Sequence, residues 1–143
     1  FIIGYPGETY NDYKQTVDLM KDVKFVNSFS FIYSARPGTP ASNLSEINEV
    51  ESKKRLMNFQ TIAEKIKTNY KKSLIDKIVP VLFENEMKTK NEYFGRDEHF
   101  NSIVVKHSEN LKGKVKNVKI LKSNQNTLFG EVAESFDQTN HAA

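Results

Sequence analysis

The periodicity of the chain changes at Leu74, and that change limits the folds open to it. Before it, Leu56, Phe59, Ile62, Ala63, Ile66 and Tyr70 recur at helical spacing. They form the stripe of a long amphipathic helix, expected from about Glu49 to Ser73. Lys53, Lys54, Arg55, Glu64, Lys65 and Lys67 are expected on its solvated side. After Leu74 the apolar residues fall into short runs: Lys77 to Phe83, Tyr93 to Gly95, Ser102 to Lys106, Lys114 to Leu121 and Thr127 to Val132. Gly95, Asn101, Gly113 and Ser123-Asn124-Gln125-Asn126 punctuate them. Short strands at regular spacing predict a small closed β-barrel. Val118 and Ile120 share one phase and Val115 is out of step, which predicts a bulge near Asn117. Phe94 and Phe129 read as core, and Tyr93 fits either side.

The first forty residues have a different grammar. Phe1 to Ile3 reads as the end of a buried strand, followed by the turn Gly4-Tyr5-Pro6-Gly7-Glu8-Thr9 and a helix from about Tyr10 to Lys24. Thr9 and Asp12 have the spacing of a capping box. Tyr13, Val17, Met20 and Val23 form the expected buried face. In Ser28 to Ser34, Phe29, Phe31 and Tyr33 alternate with their neighbours as in a strand. Strand, helix, strand at this spacing predicts a parallel βαβ unit. One such unit cannot bury both faces of its strands, so a larger α/β sheet and further, N-terminal chain are expected. Arg36-Pro37-Gly38-Thr39-Pro40 is a loop, because its prolines and glycine forbid helix and central strand. Residues 41–48 are a polar connector.

Charge and cysteine content narrow the chemistry. Net charge is +3. Between Lys106 and Lys122 lie six lysines against Glu109 alone. Such a stripe suits a phosphate backbone, or equally a strand edge kept monomeric by lysine. There is no cysteine, so this chain can build neither a disulfide nor a thiolate-held iron–sulfur cluster. That fits a cytosolic protein. His99, His107 and His141 have no metal-ligand spacing. No apolar run is long enough to span a membrane.

The turn of residues 4–9 is placed as ligand sites are in α/β folds, between the C-terminal end of a strand and a helix N-terminus. A plain strand-to-helix turn, with Glu8 favouring the helix dipole, fits the same spacing. The order Ile3-Gly4-Tyr5-Pro6-Gly7-Glu8-Thr9, then Phe31-Ile32-Tyr33-Ser34-Ala35-Arg36-Pro37-Gly38-Thr39-Pro40-Ala41, resembles the late strands of the radical-SAM methylthiotransferase family. The resemblance continues to about Val132.

It implies an α/β plus all-β chain: the C-terminal edge of an open (β/α)6 radical-SAM barrel, with the connecting helix, over 1–73, and a five-stranded OB-like TRAM barrel over 74–133; the polar composition beyond predicts a flexible tail over 134–143. By the same resemblance Gly4, Pro6, Gly7 and Glu8, with Ile32, Tyr33 and Ser34, would line an S-adenosylmethionine pocket. Arg36 would hold cofactor, substrate phosphate or a neighbouring carboxylate. Two [4Fe–4S] clusters would sit on cysteines of the parent protein, so the chain alone is expected to be inactive. Leu74 to Leu82, Gly95-Arg96, Leu111-x-Gly113-Lys114 and Leu128 to Val132 carry the TRAM likeness, with Asp76 where that family usually has Gly. The expected partner is the tRNA anticodon stem-loop, met by Lys88, Lys90, Arg96, Phe100, Lys112, Lys114 and Lys116. Asp97 and Glu98 weaken the positive field around Arg96. The implied reaction is methylthiolation of C2 of N6-isopentenyladenosine beside the anticodon. The alternatives are the same reaction on threonylcarbamoyl-adenosine and a stand-alone RNA-binding module.

Overall fold

The structure, a computed structural model, describes residues 1–133. The expected flexible tail at 134–143 lies outside the described residues. The chain divides into two compact units, the first Phe1–Asn69 and the second beginning at Tyr70.

In the first unit, β1 (Ile2–Ile3) leads into α1 (Tyr10–Val23) and then β2 (Phe31–Ile32). The strands pair in parallel, Ile2 with Phe31 and Ile3 with Ile32, as the βαβ spacing requires. A short 3-10 segment, Pro40–Asn43, precedes α2, which runs Glu49–Ser73 with the limits its periodicity predicts. Ile3, Tyr13, Val17, Met20 and Phe59 form a buried cluster, with Leu56, Ile62, Ala63 and Ile66 against it. Thus α1 and α2 cover β1 with their apolar stripes.

Two expectations about this unit fail. Val23 is 52% exposed. At 3.6 residues per turn it points roughly 90° away from the mean direction of Tyr13, Val17 and Met20. The second strand is also much shorter than Ser28 to Ser34. Phe29 and Phe31 are exposed at 77% and 60%, and β1 pairs through only two residues.

The second unit is a closed barrel of five strands: β3 (Ile78–Glu86), β4 (Glu92–Arg96), β5 (Ser102–Lys106), β6 (Val115–Ser123) and β7 (Thr127–Val132), in the order β3-β4-β5-β7-β6. All pairs are antiparallel except β5 with β7. Alternation sends one set of side chains inward. Val81, Phe83, Tyr93, Ile103, Val105, Val118, Ile120 and Leu128 meet there with Leu74 and Leu111.

Closure is tight at two glycines. A Cβ on Gly95 would lie 2.5 Å from the Leu82 carbonyl oxygen and 2.7 Å from Val81 Cγ1. A Cβ on Gly130 would lie 2.4 Å from the Lys119 carbonyl oxygen. Asp76 sits at φ 65°, in the left-handed region, which explains why glycine is usual there in the family that the barrel resembles.

The register corrects two readings. β3 and β6 pair without interruption from Ile78–Lys119 to Leu82–Val115, so there is no bulge at Asn117. Val115 simply faces outward beside Leu82. The irregularity in β6 lies between Ile120 and Lys122, and another lies in β3 between Phe83 and Asn85. Tyr93 takes the core position of β4 at 3% exposure. Phe94 and Phe129, read as core, belong to the outer face: Phe94 pairs with Val104, and Val104 with Phe129.

Candidate functional site

The turn after β1 is fixed from both ends. Thr9 caps α1: its hydroxyl accepts from the Asp12 amide at 3.1 Å, and Asp12 Oδ2 accepts from the Thr9 amide at 2.8 Å. Hydrogen bonds from the Thr9 side chain, then its backbone, hold the Asp12 carboxyl below its ordinary value of 3.8. The Glu8 carboxylate turns back on its own loop. One carboxylate oxygen accepts from the Gly4 amide at 3.0 Å, and the other accepts from Arg55 Nη1 at 2.8 Å.

Arg55 was expected on the solvated face of α2 but is buried, with 10% of its side chain exposed. It also donates to Glu51 at 2.9 Å and to the Glu8 carbonyl at 3.1 Å, and lies over the Tyr13 ring. Burial pulls the Arg55 pKa down; hydrogen bonds and charge from Glu8 and Glu51 outweigh it, so the net shift is upward. Ser52 and Arg55 continue the stripe of Phe59 by one helical turn, a signal the sequence did contain. The Tyr13 hydroxyl donates to the Arg55 carbonyl and accepts from Asn58 Nδ2. Burial raises the Tyr13 pKa, partly offset by the Asn58 bond.

The other residues expected to line a pocket here fall into three groups. Gly4 and Pro6 are buried. Gly4, at φ +77°, lies so close to α2 that a Cβ would meet Ser52 Oγ at 2.6 Å, whereas Gly7, at φ +84°, faces open space. Ile32 and Tyr33 are half-buried and Ser34 is exposed. The Tyr33 ring meets Tyr5 edge-on at 5.3 Å, and its buried hydroxyl has no hydrogen-bond partner among the described residues. Arg36 is exposed, and its carbonyl accepts from Thr39. The turn therefore leaves open backbone at Gly7 and one unsatisfied hydroxyl at Tyr33, while the Glu8 carboxylate is occupied.

On the barrel, the basic residues divide. Lys88 and Lys90 lie in the exposed β3–β4 hairpin turn. The His107 amide donates to the Asn91 carbonyl and the Gly113 amide to the Phe83 carbonyl, so the loops carrying Lys112 and Lys114 meet the same end of the barrel. Lys116 is exposed opposite Val81. Arg96 stands further along β4, paired with Glu84 at 3.0 Å and 5.3 Å from the Phe94 ring. Phe100 is 72% exposed at φ 60°. Asp97 does not project beside Arg96. It is buried, accepting from the amides of His99 and Asn101 and from Asn101 Nδ2. The lysine run is not one stripe either: Lys106 pairs with Glu92 at 3.3 Å and Lys119 with Asp76 at 3.9 Å.

The second aromatic feature was missed by sequence reasoning. Phe94, Val104, Phe129 and Lys122 stand in register across four strands on the outer wall. The Lys122 ammonium lies 5.2 Å from the Phe129 ring centroid.

The TRAM domain model matches residues 72–133. A tRNA-2-methylthio-N(6)-dimethylallyladenosine synthase of Pelagibacter ubique (strain HTCC1062) is 46% identical over 138 residues, 94% of this chain and 30% of that protein. Proteins of the same name from Buchnera aphidicola subsp. Baizongia pistaciae and Orientia tsutsugamushi (strain Boryong) are 42% and 39% identical, over 91% and 92% of this chain and again 30% of their own lengths. The chain thus spans about 30% of the length of the curated relatives it matches. Residues 72–133 thus match the TRAM domain model, and nearly the whole chain is similar to a part of proteins named tRNA-2-methylthio-N(6)-dimethylallyladenosine synthase.

Proposed function

We propose that this chain serves a tRNA-modifying methylthiotransferase. In this reading residues 1–69 supply the last two strands of a cofactor-holding barrel, and the TRAM barrel holds tRNA near the anticodon. The observation that carries it is the 46% identity to a named synthase across 94% of the chain. The parallel β1–β2 pair supports it, since a two-stranded sheet with Ile2 and Phe31 exposed suits the edge of a larger sheet.

The residues of the turn fit an S-adenosylmethionine site. Gly7 leaves the backbone open to a ligand, and the unpartnered Tyr33 hydroxyl offers a hydrogen bond. Ile32 and Ser34 flank it, and Pro6 stiffens the turn. Glu8 contributes by holding the Gly4 amide. S-adenosylmethionine held there would supply the methyl group and, with one electron from a reduced cluster outside this chain, the 5′-deoxyadenosyl radical. Any iron–sulfur cluster would have to be held by cysteines outside this chain, which has none. Arg36, exposed on the loop after β2, would meet a phosphate of the substrate. On the barrel, Lys88, Lys90, Lys112 and Lys114 gather at one end as a backbone-binding surface, with Arg96, Phe100 and Lys116 beside the β3–β6 face.

The test is nucleoside mass spectrometry of tRNA from cells lacking 2-methylthio-N6-isopentenyladenosine. Supplying the parent gene should restore that nucleoside. Methylthiolation of threonylcarbamoyl-adenosine instead would redirect the substrate assignment, and no methylthiolation of either would overturn the reading.

A further inference from the structure

We propose that the outer wall of β5, β7 and β6 is a seat for one unpaired nucleobase of RNA, with Phe129 as its stacking floor. The inference rests on the RNA-binding reading of the TRAM barrel and locates base recognition on the side wall that borders the lysine-bearing end.

The wall is shaped for a small planar group. Val104 and Phe129 pair in register on adjacent parallel strands and form an apolar floor. The irregularity in β6 then matters. Because the register slips between Ile120 and Lys122, Lys122 rather than Leu121 stands opposite Phe129. A bulge re-aims a side chain in this way, and the Lys122 ammonium ends 5.2 Å from the ring centroid. Above this floor lies a cleft of about 720 Å³, whose polar rim includes Thr127, Lys106, Glu92 and Glu131. A cleft of a few hundred Å³ suits a nucleoside-sized ligand.

The chemistry selects a base over a phosphate. Two lysines and two carboxylates share the rim, so the site adds little net positive charge. Lys106 is already paired with Glu92 at 3.3 Å. A base offers a π-face to Phe129 once the Lys122 ammonium, which lies over the ring, swings aside to the rim, and its amino and carbonyl edges match carboxylates, hydroxyl and ammonium. Bases within a duplex hide those faces, so the wall should favour single-stranded RNA.

The test measures anisotropy of the 143-residue chain with a labelled single-stranded RNA and a duplex of equal length, across a salt series. Phe129→Leu should weaken single-strand binding about 5- to 160-fold, the range of one lost aromatic stack. It should leave duplex binding and the salt slope unchanged, and Phe129→Tyr should restore affinity. Lys112→Gln with Lys114→Gln should instead flatten the slope. If RNA binds but Phe129→Leu matches wild type, the nucleobase seat is wrong and the TRAM reading survives. If neither RNA binds at any salt, both fail. Should Phe129→Leu unfold, 2-aminopurine in the single strand decides with wild-type protein: quenching on binding supports stacking, and unchanged emission overturns it.

Discussion

Adding one methyl group at Gly95 should damage the barrel more than its size suggests. Gly95 lies in β4 opposite Ile103 and Phe83. Its backbone is not in the left-handed region, so Ala is permitted there conformationally. Replacing Gly by Ala at an unstrained site stabilises by about 0.4–1 kcal/mol through the unfolded chain. Against that stands the contact: a Cβ would sit 2.5 Å from a backbone oxygen of β3 and 2.7 Å from Val81 Cγ1. Neither neighbour is the free end of a flexible side chain, so β3 and β4 must separate. Overpacking of this kind costs about 1–3 kcal/mol, leaving a net loss of roughly 1–2 kcal/mol. For a domain this small that lowers the melting temperature by about 4–15 °C. Native-state hydrogen exchange of β3 and β4 amides, read by mass spectrometry, isolates the barrel from the first unit. Protection in Gly95→Ala equal to or above wild type would show that the strands yield without cost and refute the steric argument. Gly130→Ala, with the same kind of contact to Lys119, should behave alike.

Three further outcomes are expected. Arg55→Met should strand the buried Glu8 carboxylate and cost about 3 kcal/mol; exchange rates of α1 and α2 amides test it, and unchanged rates would mean the 2.8 Å pair carries no stability. Asp76→Gly should stabilise the barrel by about 1 kcal/mol by relieving a left-handed non-glycine residue; urea denaturation giving a lower midpoint would contradict this. The Asp12 carboxyl has its pKa depressed by Thr9, so its contribution to capping α1 is full above the ordinary value of 3.8 and is lost as pH falls through the lower folded value. A carbon-13 titration of the Asp12 carboxyl should show that low midpoint, and Thr9→Ala should return it toward 3.8.

Local rules were legible because they act over a few residues. The Thr9–Asp12 box, the full extent of α2 and the limits of β5 and β7 follow from spacing alone. The parallel pairing of β1 and β2 followed from the helix between them. Choices settled by distant partners were not legible. Tyr93 and Phe94 are adjacent aromatics, and only the register with Val105 and Val104 decides which faces inward. Arg55 sits in a basic run, and its burial depends on Glu8, forty-seven positions earlier. The slip that aims Lys122 at Phe129 shows only when β6 meets β7. The turn was located correctly as a feature, but nothing local said that its carboxylate would be engaged by Arg55.

The parallel pairing of β5 with β7 has a consequence for biogenesis. β7 is the last barrel strand in the sequence, yet it lies between β5 and β6. Until it emerges during synthesis, both neighbours have bare edges, an invitation to pair with another chain. The barrel therefore cannot be assembled progressively as it is made. It waits as an incomplete sheet for its final wedge, and a premature stop before Thr127 would leave a sticky, unclosed product rather than a smaller stable one.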